Sequence, residues 1–282
     1  MIFANPTTDM VFKKLFGVAG TEAIVINFLN SVLERTKGEK IVEVTFIDPS
    51  NHSQSKLDKT TIIDVRCTDE HNKQFIVTLQ LSDQADYLTK SQFYSALALS
   101  QQLRKGSTYS TIIPVIFVGV LNFNLFPQAN YLSHHVLVET QTHQQSLTNL
   151  EFHFVELKKF TLEQEDLKSV VDKWIYLLKH AHEMQTIPSS FKTPHELTNA
   201  MELLDQGTWT AKELTAYERI LDAERFAKSI EESAIEKGMA QGREEGAKEA
   251  ARTIARQLLQ TMAPGEVAKI TSMPIDEIKQ LQ

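Results

Sequence analysis

The feature that most constrains this chain is a pair of alternating runs joined by a polar turn. Thr60 to Cys67 alternates, with Ile63, Val65 and Cys67 on one face and Ile62, Asp64 and Arg66 on the other. Asp69-Glu70-His71-Asn72-Lys73 is a polar turn. In the return run, Phe75, Val77, Leu79 and Leu81 form one face, and Gln74, Ile76, Thr78 and Gln80 form the other. Two period-two runs about such a turn predict a β-hairpin. With the turn centred on His71, Asp64 falls directly opposite Thr78.

The flanking patterns extend the hairpin into a sheet with helices packed on it. Val11, Phe12, Leu15 and Phe16 form one helical stripe, which Gly17 stops. Ile24, Val25, Phe28, Leu29, Val32 and Leu33 form a second, ending at Lys37-Gly38. A strand is predicted over 41–47, and the polar segment 48–59 reads as a loop. Asp83 to Lys105 predicts a long helix closed by Gly106. Thr111 to Leu121 is nearly all apolar and fits a central buried strand. Two further strands are predicted over 133–139 and 151–157, joined by the polar stretch 140–149. The predicted order is ααβββαβββ, an α/β fold with a mixed sheet. Around Phe160 the pattern turns to helix only. The chain therefore divides into an α/β domain over 1–160, a helical region over 161–227, and a glycine-spaced helical arm with a small helical tail over 228–282.

Composition narrows the class. With 42% hydrophobic and 23% charged residues, the chain has the make-up of a soluble globular protein. No apolar run reaches the roughly 18 residues needed to span a bilayer, and the first residues, MIFANPTTDM, lack the marks of a signal peptide. The single cysteine, Cys67, rules out an intramolecular disulfide and suits a reducing cytoplasm. A net charge of -7 argues against tight non-specific wrapping of nucleic acid, although it leaves room for a local basic groove. The nine histidines show no metal-ligating spacing: His134 and His135 point to opposite faces of a strand, and His180 and His182 diverge on a helix. There is no Walker A, GxGxxG, GxSxG or zinc-type Cys/His motif.

The hairpin is a scaffold for metal chemistry. A nuclease that uses Mg²⁺ needs carboxylates converging on an ion that holds the scissile phosphate and lowers the pKa of the attacking water. Adjacent antiparallel strands hold such side chains a few ångströms apart on one face. Asp64, Thr78 and Gln80 occupy that arrangement, and Asp64 and Gln80 are expected to face a common cleft beside the helix that follows Asp83.

Several separate segments carry a resemblance. Thr8-Asp9-Met10-Val11-Phe12-Lys13-Lys14-Leu15-Phe16-Gly17, Ile63-Asp64-Val65, Phe75-Ile76-Val77-Thr78-Leu79-Gln80, Lys90-Ser91-Gln92-Phe93-Tyr94, Pro114-Val115-Ile116-Phe117 and Leu121-Asn122-Phe123-Asn124-Leu125-Phe126 occur in order, followed by a GxxxGxxxG arm. Together they resemble the PD-(D/E)XK nuclease-family transposases, the Rpn family of recombination-promoting nucleases, over nearly the full length. The resemblance implies a restriction-endonuclease-like core and a Mg²⁺- or Mn²⁺-dependent DNA endonuclease acting in recombination. It assigns Asp64 to the metal, Gln80 to the position of the superfamily's lysine, and the following helix, with Lys90, Gln92 and Tyr94, to the nucleic acid. Asp9 is either a further metal ligand or a first-turn acid favoured by the helix dipole. Tyr94 either lines the groove or packs.

The chain departs from the pattern at one position. The second strand of the family carries Glu-x-Gln, where this chain has Thr78-Leu79-Gln80. A hydroxyl can coordinate Mg²⁺ but brings no charge, so the resemblance implies a weakened or inactive nuclease. The alternative is a non-catalytic relative that binds DNA or self-associates. Losing a ligating anion should cost at least the roughly 10–100-fold typical of lost outer partners. Asp83 and Asp86, at the start of the next helix, are either migrated replacements for the missing acid or helix-start residues. Lys90 in place of arginine weakens a bidentate phosphate contact.

Gly238, Gly242 and Gly246 recur four apart, at a cost of about 1 kcal/mol each relative to alanine in a helix. The stripe is either a close-approach surface for another helix, which would make the arm a homodimer contact, or a weak linker. In the tail, the acidic Ile275-Asp276-Glu277-Ile278 suits packing better than entry into a phosphate-lined groove. Light scattering on the full chain and on a version ending near Ala227 checks the arm. A dimer that becomes a monomer on truncation is expected, and a monomeric mass for both removes the idea.

Overall fold

The computed structural model describes residues 1–47, 62–82, 87–103, 106 and 108–281, with side chains omitted at 78–80, 82 and 231. The element order is the one the sequence predicts. Helices α1 (Asp9–Phe16) and α2 (Glu22–Val32) precede strands β1 (Ile41–Phe46), β2 (Ile62–Asp69) and β3 (Gln74–Ser82). Helix α3 (Tyr87–Ser100) leads to β4 (Val115–Leu121), β5 (Leu132–Leu137) and β6 (Leu147–Glu156). The six strands form one mixed sheet in the order β1-β2-β3-β4-β6-β5. β3, β4 and β6 run parallel, and the other neighbouring pairs are antiparallel.

Every residue of β4 is buried, as a strand flanked by two parallel neighbours and covered on both faces requires. It starts at Val115, later than its apolar run suggests, because Pro114 has no N–H for the ladder. The Pro114 carbonyl still accepts from the Ile76 N–H at 2.9 Å. The β2–β3 hairpin turns at Asp69–Lys73. There the Asp69 carboxylate accepts from the backbone N–H groups of His71 and Lys73, both at 2.9 Å, and Asn72 takes a positive φ of 59°.

The alternation of the strands sorts the core into two layers. On one face α3 packs on the sheet: Tyr87 lies among Phe117, Leu121 and Phe154, and Ala98 lies against Ile76 and Val115. The other face carries the N-terminal helices, whose aromatics interlock. The Phe16 and Phe28 ring centroids are 4.7 Å apart, and Phe28 meets Trp174 edge-on at 5.6 Å. Trp174 belongs to α4 (Val170–His180), and α4 and α5 (His195–Leu204) both pack on α2. The Trp174 indole N–H donates to Asn27 Oδ1 at 2.8 Å, so its polar edge is satisfied inside the core. Cys67 is fully buried on β2, and burial pushes its thiol pKa up to about 12.

The chain forms two compact units, Met1–Leu214 and Thr215–Gln282. Helix α6 (Ala211–Leu258) is a single helix, followed by α7 (Pro264–Thr271) and α8 (Ile275–Lys279). In the second unit Ala255, Val267 and Ile278 form a small core, and Glu277 pairs with Arg252 at 2.7 Å. Glu277, one of the two acids of the last helix, thus pairs within the tail. A Cβ added at Gly238, Gly242 or Gly246 would meet nothing within 4 Å among the described residues.

At the end of β6, the Glu156 side chain, 1% exposed, forms a salt bridge at 2.6 Å with Lys159, 9% exposed. Its carboxylate also accepts from the backbone N–H groups of Leu125 and Phe126, and Lys159 donates to the Phe126 carbonyl at 2.8 Å. The pair therefore holds the β4–β5 connection. Removing one partner leaves the other charged and buried. Lys159→Met is expected to cost about 3–5 kcal/mol in urea unfolding, and adding Glu156→Gln should restore part of that.

Candidate metal-dependent active site

The register of the hairpin is the one its turn implies. Asp64 pairs with Thr78, and Ile62 pairs with Gln80. Asp64 is not an edge residue: β2 lies between β1 and β3, and the residue is only 8% exposed. Its face follows from the ladder. Arg66 pairs with Ile76, which packs under Ala98 of α3. Asp64 is two residues from Arg66, so it stands on that same face. The carboxylate therefore sits on the side of the sheet that α3 covers. The side chains of Thr78 and Gln80, and residues Asp83 and Asp86, lie outside the described residues.

Helix α3 reaches the sheet by an unusual stripe. Its buried positions are Tyr87, Ser91, Ser95 and Ala98, at helical spacing but mostly small or polar. Ser91 Oγ donates to the Leu88 carbonyl at 2.9 Å and Ser95 Oγ to the Ser91 carbonyl at 2.7 Å, so both hydroxyls are satisfied within the helix. Small side chains let helix and sheet approach closely. Lys90 and Tyr94, one turn apart, are half-buried along one flank, whereas Gln92 is exposed.

At its N-terminal end α3 is seated by Tyr87. This ring is fully buried, and its hydroxyl lies over Gly119, the β4 residue paired with Gln80. A Cβ at Gly119 would clash with that hydroxyl and stand 3.0 Å from Phe154. Gly119 is therefore required by the close approach of α3. Burial raises the Tyr87 pKa, and the hydroxyl has no hydrogen-bond partner among the described residues.

Asp9 is exposed at the first position of α1. The other end of this helix rests near Ile63: a Cβ on Gly17 would be 3.1 Å from Ile63 Cδ1. Ile63 belongs to the face opposite Asp64. α1 thus approaches the sheet from the side away from α3.

One constellation escaped the sequence reading. The histidines show no ligand spacing along the chain, yet the fold gathers His134, Glu151 and His153, with their candidate donor atoms all within 4.8 Å of one another. Spacing along the chain does not reveal them, because His134 and His153 meet across the β5–β6 ladder. Their rings stack at 4.0 Å. Phe152 packs with Phe117 on the α3 face, so Glu151 and His153 stand on the opposite one. The His153 imidazole beside it holds Glu151 below the usual carboxylate range, and burial holds His153 below the usual imidazole range.

A mixed sheet entered through two helices and an antiparallel hairpin, with a buried aspartate on β2 and a crossover helix above it, is an α/β fold of the restriction-endonuclease type. The chain belongs to the PD-(D/E)XK nuclease family transposases, whose family model matches residues 6–234. No curated protein and no solved structure matches it. Among the described residues, no helix is long and apolar enough to cross a membrane.

The packing of α3 on β4 can be checked directly. Gly119→Ala is expected to lower stability by about 1–3 kcal/mol in urea unfolding. Tyr87→Phe, which removes the clashing hydroxyl, should recover part of that loss. Equal destabilisation with and without Tyr87→Phe would show that the hydroxyl does not set the approach.

Proposed function

We propose that this chain is a DNA-directed member of its family that uses Mg²⁺ or Mn²⁺ and cleaves weakly or not at all. The observation that carries the reading is Asp64, a carboxylate buried on the face under α3 and paired in register with a residue that is not an acid. The donor types fit a hard cation: one carboxylate at Asp64, a hydroxyl residue at Thr78 and an amide residue at Gln80. Asp9 is the further carboxylate that the resemblance offers to the ion.

A bound Mg²⁺ would neutralise the scissile phosphate and make a nearby water more acidic. Asp64 would anchor the ion from a rigid strand, where packing fixes its direction. Gln80 would orient water or phosphate without contributing charge. Lys90 would offer a point charge to the backbone of the nucleic acid, with Gln92 and Tyr94 beside it on α3. The deficit lies in the charge count: with Thr78 in the acidic place, one carboxylate of the expected pair is missing. DNA recombination as the process and the cytoplasm as the location follow the family and the reduced, buried cysteine.

The second reading is a non-catalytic DNA-binding or self-associating relative, and Thr78 is the observation that favours it. In that case the glycine stripe of α6, which nothing in the same chain approaches among the described residues, would meet a second copy.

Plasmid nicking with Mg²⁺ or Mn²⁺ separates the readings. The unmodified chain is expected to nick slowly or not at all, and Thr78→Glu is expected to raise the rate by at least roughly tenfold. Asp64→Ala in that background should abolish the gain, because both groups act through one ion. Metal affinity by calorimetry should follow the same order. Robust cleavage by the unmodified chain that Asp64→Ala abolishes would mean that another acid completes the site, with Asp9, Asp83 and Asp86 the first to replace. A chain that stays silent in every variant but binds DNA would favour the second reading.

A further inference from the structure

The β5–β6 edge of the sheet carries a donor set quite different from that of Asp64. His134 stands on β5, the edge strand, directly across the ladder from His153 on β6. Glu151 lies two residues before His153 and therefore on the same face. Glu151 Oε2 is 3.6 Å from His134 Nε2 and 4.0 Å from His153 Nε2. Two ligands bound to one tetrahedral zinc ion are about 3.3 Å apart, given Zn–N and Zn–O bonds of about 2.0–2.2 Å. The 3.6 Å gap exceeds that by about 0.3 Å and the 4.0 Å gap by about 0.7 Å, and all three candidate donor atoms lie within 4.8 Å of one another, so binding requires the group to close.

We propose that His134, Glu151 and His153 form a binding site for a borderline divalent cation of the Zn²⁺ class, separate from the site at Asp64 and on the other face of the sheet. Two imidazoles and one carboxylate suit zinc, cobalt or nickel and are poor ligands for Mg²⁺, which prefers oxygen donors. Three protein ligands leave a fourth position for water.

The surroundings allow the closure that binding requires. The stacked rings, 14° apart in plane, must splay for both nitrogens to aim at one ion. His134 can make most of that movement, because its side chain is 51% exposed on an edge strand. His153, only 11% exposed, supplies the fixed half of the site. An ion held there would tie the edge strand to its neighbour and stabilise the folded chain by linkage.

The test is calorimetric titration of the untagged, chelator-treated full chain with ZnCl₂, with MgCl₂ as the contrast. One saturable zinc site is expected, weakened at least about tenfold by His134→Ala and by Glu151→Gln and unchanged by Asp64→Asn. Co²⁺ in the same site should give the visible absorption of a four-coordinate ion, and His134→Ala should abolish it. Zinc binding that neither His134→Ala nor Glu151→Gln weakens overturns the proposal, as does the absence of saturable binding. Loss of binding on Asp64→Asn alone would likewise overturn it, by placing the ion at the other face. If a variant fails to fold, the unmodified chain still decides. Zn²⁺ should protect His134 from carbethoxylation, read by mass spectrometry, and equal modification with and without zinc counts against the site.

Discussion

β3 and β4 lie side by side and run parallel, and that single geometric fact organises the rest of the α/β unit. A chain cannot join parallel neighbours by a hairpin. It must cross back over the sheet, and here α3 is the crossover. The crossing fixes which face α3 covers, and α1 and α2 take the other. It also explains the full burial of β4, which has no exposed side. The fit of α3 then depends on the absence of a side chain at Gly119, because the Tyr87 ring occupies the space a Cβ would need.

From this arrangement follows the setting of Asp64. A carboxylate on the second strand would be unremarkable on an open sheet, where water solvates it. Under a crossover helix it is 8% exposed. Ser91 and Ser95 belong to the same design. They keep α3 close to the sheet, and their hydroxyls are turned back onto the helix so that they bring no unsatisfied polar group.

The two faces of the sheet thus offer two kinds of chemistry. The Asp64 carboxylate faces α3 at the hairpin, while imidazoles and a carboxylate gather on the opposite face at the β5–β6 edge. The strands that present them are different.

Much of this was written in local pattern. The alternation of Ile63, Val65 and Cys67 against Phe75, Val77, Leu79 and Leu81, with a polar turn between, determines a hairpin. Its short turn determines the register, so Asp64 opposite Thr78 was legible before any coordinates. The apolar run ending at Leu121 determined a central strand, and the change of period near Phe160 marked where strands cease. The α3 interface was less legible, since a contact stripe of Tyr87, Ser91, Ser95 and Ala98 gives little amphipathic signal. The His134–His153 pair was not legible at all. Pairing the expected ends of β5 and β6 across their long loop would set His134 opposite Glu156. Instead β6 begins at Leu147, which pairs with Leu137, and an irregularity between Val136 and Leu137 then carries the partner of His134 from Leu150 to His153. Sequence fixes contacts that lie within the reach of a turn. Contacts made after a long loop depend on how the sheet's neighbours set the register, and only the tertiary structure decides them.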